Sequence, residues 1–147
     1  MKAIIPVAGT GMRLRPLTYT QPKPLIPVAG KPIISFIVDQ LIELGVQDFV
    51  FIIGYLGEKI REYIERTYPE LHTVFVSQDE RLGSAHAIWL ARDHYADAEE
   101  IIIFFGDAII DADLGDFKDS LTSCLGVQKV DDPRKFGVVD HDINGNI

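Results

Sequence analysis

Apolar and polar positions fall along this chain in blocks whose period changes. Ala3 to Val7 is a short apolar run and reads as a buried strand. From Pro32 to Leu44 the apolar residues Ile33, Ile37, Leu41 and Leu44 share a helical stripe, and Gly45 stops it. Phe49 to Ile53 reads as a second buried strand, ended by Gly54. Glu58 to Tyr68 is a predicted surface helix with Ile60, Ile64 and Tyr68 facing inward, closed by Pro69. Thr73 to Val76 is a third strand. Ser84 to Tyr95 is a third helix, with Ile88, Ala91 and Tyr95 on its stripe. Ile101 to Phe105 is apolar at every position and is predicted to be a fourth strand, covered on both faces. Strands alternating with helices imply an α/β protein with a mostly parallel sheet wrapped by helices. Phe136 to Asp140 alternates like a strand, and Asn144-Gly145 is a hairpin signal that calls for a return strand. The sequence stops at Ile147, so it is expected to be a fragment of a longer protein.

Composition narrows the classes. A chain of 147 residues fits one domain and is long enough to bury a core. Its 14 Lys and Arg face 22 Asp and Glu, a net charge of −8, which argues against a nucleic-acid or anionic-membrane surface. It does not forbid an anionic small ligand, because a few cations and backbone amides reverse the field inside a cleft. No apolar run approaches the roughly 18 residues that span a bilayer. The opening Met1-Lys2-Ala3-Ile4-Ile5-Pro6 is too short and too early broken by proline for a signal core, so a cytoplasmic location is expected. Cys124 is the single cysteine; its apolar flanks place it on a strand as a buried, inert thiol. The histidines at 72, 86, 94 and 141 show no metal-ligand spacing and read as structural or exposed, and Trp89 reads as helix packing.

Four segments carry candidate chemistry. After the first strand comes Gly9-Thr10-Gly11-Met12-Arg13, where glycines allow backbone N–H groups close to phosphate oxygens and Arg13 offers a planar fork of donors. The segment is neither the dinucleotide GxGxxG nor a P-loop, and by itself it is also compatible with a plain turn. Lys23 stands between Pro22 and Pro24, with Pro27 behind, on a backbone biased to extended conformation; it reads as a preorganised charge or as a stiff surface loop. Gln78 follows the third strand. Its amide offers an acceptor and a donor side by side, a match for the imide edge of uracil or thymine, with Gly83 leaving room for backbone contacts; a surface glutamine is the alternative. Asp107, after Gly106, follows the fourth strand at the carboxyl end of the sheet, where ligands bind in open α/β folds. A carboxylate there suits Mg²⁺ or caps a loop.

Together the segments resemble the signature of the sugar-1-phosphate nucleotidyltransferases, the NDP-sugar pyrophosphorylases. It stands here as Gly9-Thr10-Gly11-Met12-Arg13-Leu14-Arg15-Pro16-Leu17-Thr18 and Pro22-Lys23-Pro24-Leu25-Ile26-Pro27-Val28-Ala29-Gly30-Lys31-Pro32. The likeness continues through Gln78, Gly83-Ser84-Ala85-His86-Ala87 and Gly106-Asp107 to Phe136-Gly137-Val138-Val139. It implies a Rossmann-like three-layer α/β/α nucleotidyltransferase domain, C-terminally truncated, with residues 1–147 its N-terminal part. By this resemblance Arg13 and Lys23 are catalytic. Ala8, Gly9, Thr10, Gly11, Gln78 and Gly83 bind the nucleotide, Gly137 contacts the sugar, and Asp107 holds Mg²⁺. The implied reaction joins dTTP or UTP to a sugar 1-phosphate, with glucose 1-phosphate the first choice, and releases pyrophosphate. The implied partners are these small molecules, with homo-oligomerisation of the full-length protein left open. A CTP-using cytidylyltransferase and a non-catalytic nucleotide- or sugar-nucleotide-sensing subunit are the alternatives. Met12 departs from the family's usual threonine. The family's second metal-binding aspartate and a sugar-phosphate lysine lie further along than Ile147, so the 147 residues alone are expected to bind nucleotide but turn over weakly or not at all.

Overall fold

The computed structural model describes residues 1–118, 120 and 122–143. They divide into two units, 1–114 and 115–147.

The first unit is built on a four-stranded parallel sheet. Its strands are β1 (Lys2–Pro6), β4 (Asp48–Ile53), β5 (His72–Ser77) and β6 (Ile101–Ile103), in the order β5-β4-β1-β6. Register runs Ala3 to Phe49 and Ile4 to Val50 on one side of β1, and Ile4 to Ile103 on the other. Side chains alternate between the faces of a strand, so the two layers of core can be read from the register. Ile4, Val50, Ile52 and Val76 pack against Ala87 and Ala91, which belong to α3 (Ser84–Leu90) and the turn after it. On the opposite face Phe49, Phe51 and Phe75 stack in a row, with the guanidinium of Arg61 over the Phe75 ring. Arg61 lies in α2 (Gly57–Thr67). The same layer holds α1 (Ile33–Glu43), joined to α2 and the residue after it by Ser35 Oγ to Tyr63 Oη at 2.6 Å and by the Tyr68 hydroxyl donating to Asp39 Oδ1 at 2.7 Å. Helices thus cover both faces, the three-layer arrangement expected from the sequence. A two-stranded antiparallel ribbon, β2 (Pro27–Val28) and β3 (Lys31–Pro32), leads into α1, with Lys31 ion-paired to Asp39.

Several expectations need correction. The fourth strand ends at Ile103 and is not covered on both faces: Ile101 and Ile103 are each 41% exposed, whereas Phe104, facing the other way, is buried. Among the described residues β6 pairs with β1 alone, and α3 does not cover Ile101 and Ile103. The third helix ends at Leu90 and gives way to a 3-10 turn at Arg92–His94. Trp89 is exposed rather than packed, and the Arg92 guanidinium lies over its ring at 4.5 Å.

In the second unit a short helix, α4 (Gly115–Lys118), is followed by irregular chain and a 3-10 turn at Pro133–Lys135. Asp132 caps that turn: its carboxylate accepts from the Arg134 guanidinium at 2.8 Å, which holds the carboxyl below the ordinary carboxylate range. Cys124 is exposed and lies on no strand, and Phe136 to Asp140 forms no strand either. Alternating hydrophobicity becomes a strand only where a neighbour offers hydrogen bonds, and none does so here among the described residues. The Asn144-Gly145 hairpin signal lies outside the described residues.

Candidate active site

The carboxyl end of β1 and the loop after it, the segments after β5 and β6, and the start of α3 line a cleft of about 510 Å³. Ala8, Gly9, Thr10, Gly11, Arg13, Lys23, Gln78, Gly83 and Asp107 all line it. These are the residues singled out from the sequence, Gly137 excepted. Gly137 belongs to the second unit, where it is exposed.

The floor is the loop after β1. Val7 still donates to Ile52 at 2.8 Å, the last bond of the ladder on that side. From Ala8 to Arg13 no backbone N–H donates to another described group, although Ala8 is buried. Ala8 alone of this run is buried; Thr10 and Gly11 are half-buried and Gly9, Met12 and Arg13 exposed, so these N–H groups form a cradle open to an incoming acceptor. Gly11 shapes it. Its φ of +63° is left-handed, and a Cβ there would stand 2.7 Å from Thr18 Cγ2. The buried Thr18 hydroxyl donates to the Gly11 carbonyl at 2.9 Å and holds the turn. A Cβ at Gly9 would meet nothing within 4 Å. Glycine at that position keeps space open; it satisfies no packing demand.

Two arginines overlook the cradle, Arg13 and Arg81, and neither has an ion-pair or hydrogen-bond partner among the described residues. Arg81 escaped the sequence reading. Its one signal is its place in the short connection from Gln78 to Gly83, both of which had been singled out.

Lys23 reaches the cleft differently from the extended arm expected of it. Pro22 and Ile26 are extended, but Lys23–Leu25 between them form a 3-10 turn, closed by Leu25 N–H to Pro22 O at 2.9 Å and Ile26 N–H to Lys23 O at 3.1 Å. Burial of Pro24 and Leu25 overrides the bias of a pre-proline residue against helical backbone. Lys23 Nζ pairs with Asp107 Oδ2 at 2.6 Å. Asp107 in turn follows Gly106, where a Cβ would come within 2.1 Å of Val7 Cγ1. Glycine is required there for the segment to lie against β1 and carry Asp107 to the rim.

At the other end Gln78 is 7% exposed, with its backbone N–H bound to Ile53 O at 2.8 Å. Its amide nitrogen Nε2 contacts Gly83 O at 3.1 Å and His86 Nδ1 at 3.2 Å. The side-by-side donor and acceptor expected from the sequence is therefore not on offer: the donor is used inside the protein and Oε1 alone is left.

Among the described residues Asp107 is the single acidic one lining the cleft. Among the described residues no group of three or more His, Cys, Asp or Glu could hold a metal ion. A divalent ion here would thus depend on one carboxylate plus ligand oxygens and water, a coordination that Mg²⁺ commonly accepts beside phosphates. Asp107 already accepts the Lys23 ammonium, so its carboxylate is placed to receive a cation.

Residues 2–147 match the family model described as nucleotidyl transferase. The chain is 40% identical over its whole length to a bifunctional protein GlmU of Methanocaldococcus jannaschii, of which it covers 34%. It is 35% identical to the UTP–glucose-1-phosphate uridylyltransferase AglF of Haloferax volcanii, over 94% of this chain and 59% of that one. Among solved structures, HddC from Yersinia pseudotuberculosis, complexed with GMP-PN, superposes with a TM-score of 0.78 at 28% identity, covering 97% of this chain and 65% of that one. The chain therefore spans from about a third to about three fifths of these curated relatives' lengths.

Proposed function

We propose that this chain, which belongs to the nucleotidyl transferase family, carries the nucleotide-binding part of an enzyme that transfers a nucleotidyl group from UTP or dTTP to a sugar 1-phosphate. The observation that carries the reading is the N–H run from Ala8 to Arg13, which shares the cleft with Arg13 and Arg81, all without a partner among the described residues. In a chain of net charge −8, such a concentration of donors and cations suits a polyphosphate.

In the reaction a phosphate oxygen of the sugar 1-phosphate attacks the α-phosphorus of the triphosphate. The new P–O bond forms as the bond to the β-phosphate oxygen breaks, and pyrophosphate leaves with the electron pair. The nucleophile is already anionic, so no general base is needed, and catalysis consists of positioning and charge stabilisation. Gly9, Thr10 and Gly11 cradle the phosphates through backbone N–H groups. Arg13 places its guanidinium on the charge that grows toward the leaving group. Lys23 bridges the sugar phosphate and the α-phosphate, a task for which it must leave Asp107. Gln78 and Gly83 read the base, and Gly137 contacts the sugar. Asp107 would hold Mg²⁺, which when bound neutralises phosphate charge.

The test is pyrophosphate release by the full-length protein. Release should require both UTP or dTTP and a sugar 1-phosphate, glucose 1-phosphate being the first to try. If a folded protein releases no pyrophosphate with either nucleotide, the reading is rejected.

A further inference from the structure

The hydrogen bonds at the base end fix which pole of the Gln78 amide faces the cleft. Gly83 O can only accept, so the amide must turn nitrogen toward it, at 3.1 Å. The same nitrogen lies 3.2 Å from His86 Nδ1. That ring nitrogen therefore accepts, and the imidazole proton sits on Nε2. Both amide hydrogens are spent, one on each partner. Turning the amide over would set Oε1 against two acceptors in a pocket that leaves Gln78 only 7% exposed.

Resting on the nucleotide reading above, we infer that His86 is a positioning residue for base specificity: its Nδ1 locks Gln78 so that Oε1, an acceptor, is the only group the amide presents. An acceptor selects a base that brings an N–H to that point, as the imide N3–H of uracil and thymine does. It rejects a bare ring nitrogen such as N3 of cytosine, because two lone pairs would meet without water. Gly83 alone does not secure this. The backbone carbonyl supplies one of the two restraints, and His86 supplies the other from the first turn of α3.

The experiment is calorimetric titration of the full-length protein with UTP and with CTP, on the wild type, His86→Leu and His86→Asn. Leu fills the space without an acceptor, whereas the Asn side-chain oxygen stands close to where Nδ1 stood. Wild type and His86→Asn should prefer UTP. In His86→Leu the preference should fall roughly 3- to 10-fold, the value of one net hydrogen bond. An unchanged preference in a folded His86→Leu protein would overturn the inference and leave the functional reading standing. Wild type that binds neither nucleotide would overturn both. Nitrogen NMR of wild-type His86 needs no variant: a proton on Nε2 is expected, and a proton on Nδ1 would refute the arrangement.

Discussion

The two ends of the cleft are built on opposite plans. At the end proposed to take the base, Gln78 is buried, and its amide is held by Gly83 and His86. At the end proposed to take the phosphates, the cationic side chains are open to water. Arg13 and Arg81 have no partners among the described residues, and Lys23 spends its charge on Asp107. Under the proposed function the difference matches what each end would do. Telling one base from another depends on a fixed pattern of donors and acceptors, which only a rigid, desolvated group can hold. Phosphates need concentrated charge, and long solvated side chains deliver it while remaining free to rearrange during transfer. Beneath them the backbone supplies the rigid component through the turn pinned by Thr18 and Gly11.

This contrast can be broken at several points. The largest effect is expected from Arg13→Ala at the phosphate end, with kcat lowered by about 10²–10³ and the thermal melting curve unmoved, because the side chain packs against nothing in the core. Steady-state kinetics beside a melting curve checks both halves. Asp107→Asn should raise the metal concentration needed for half-maximal rate by about an order of magnitude, as expected when a charged acceptor is lost. A metal titration of the rate tests it, and an unchanged curve would remove Asp107 from the metal site. Gly106→Ala probes the frame that carries Asp107. With the added Cβ 2.1 Å from Val7 Cγ1, the fold should lose about 1–3 kcal/mol in urea denaturation.

The smallest effect lies away from the cleft, in the layer of α1 and α2. Burial, aided by the Asp39 carboxylate, raises the Tyr68 hydroxyl above its ordinary 10.0. The folded state therefore keeps this proton after the unfolded chain has lost it. The associated stability is complete below pH 10.0 and declines as pH rises further. Tyr68→Phe should cost about 1 kcal/mol near neutrality, for the hydrogen bond to Asp39, and should flatten that alkaline decline. Denaturation at pH 8 and at pH 11 would show both.

Much of this was legible in the residues, and what was missed has physical reasons. The central strands declared themselves because β1 and β4 are buried on both faces; the α2 stripe became core, and so did Ile33, Ile37 and Leu41 of the α1 stripe, whereas Leu44 is half-buried and the core also takes Ile34 and Val38. The phosphate loop and the Pro22–Pro24 segment were visible because glycine and proline constrain backbone, and constraint is local. Failures came where a neighbour decides. The Ile101–Phe105 run has the same apolar signature whether a strand is central or at an edge. Phe136 to Asp140 alternates without finding a ladder. Lys23 was expected on extended backbone, and burial of Pro24 and Leu25 folded it into a turn instead. The polarity of Gln78 could not be read at all, since it depends on a carbonyl and an imidazole brought to the amide by a turn. Among residues the cleft gathers, Arg81 was passed over because a lone arginine in a polar loop looks like any surface charge.

The most direct test of the account is equilibrium titration of the full-length protein with UTP, dTTP, CTP, ATP and GTP, each with Mg²⁺. A base end fixed in advance predicts saturable binding with UTP and dTTP ahead of the other three. Equal affinity for all five would contradict a preformed base reader, and no binding by a folded protein would contradict the nucleotide site itself.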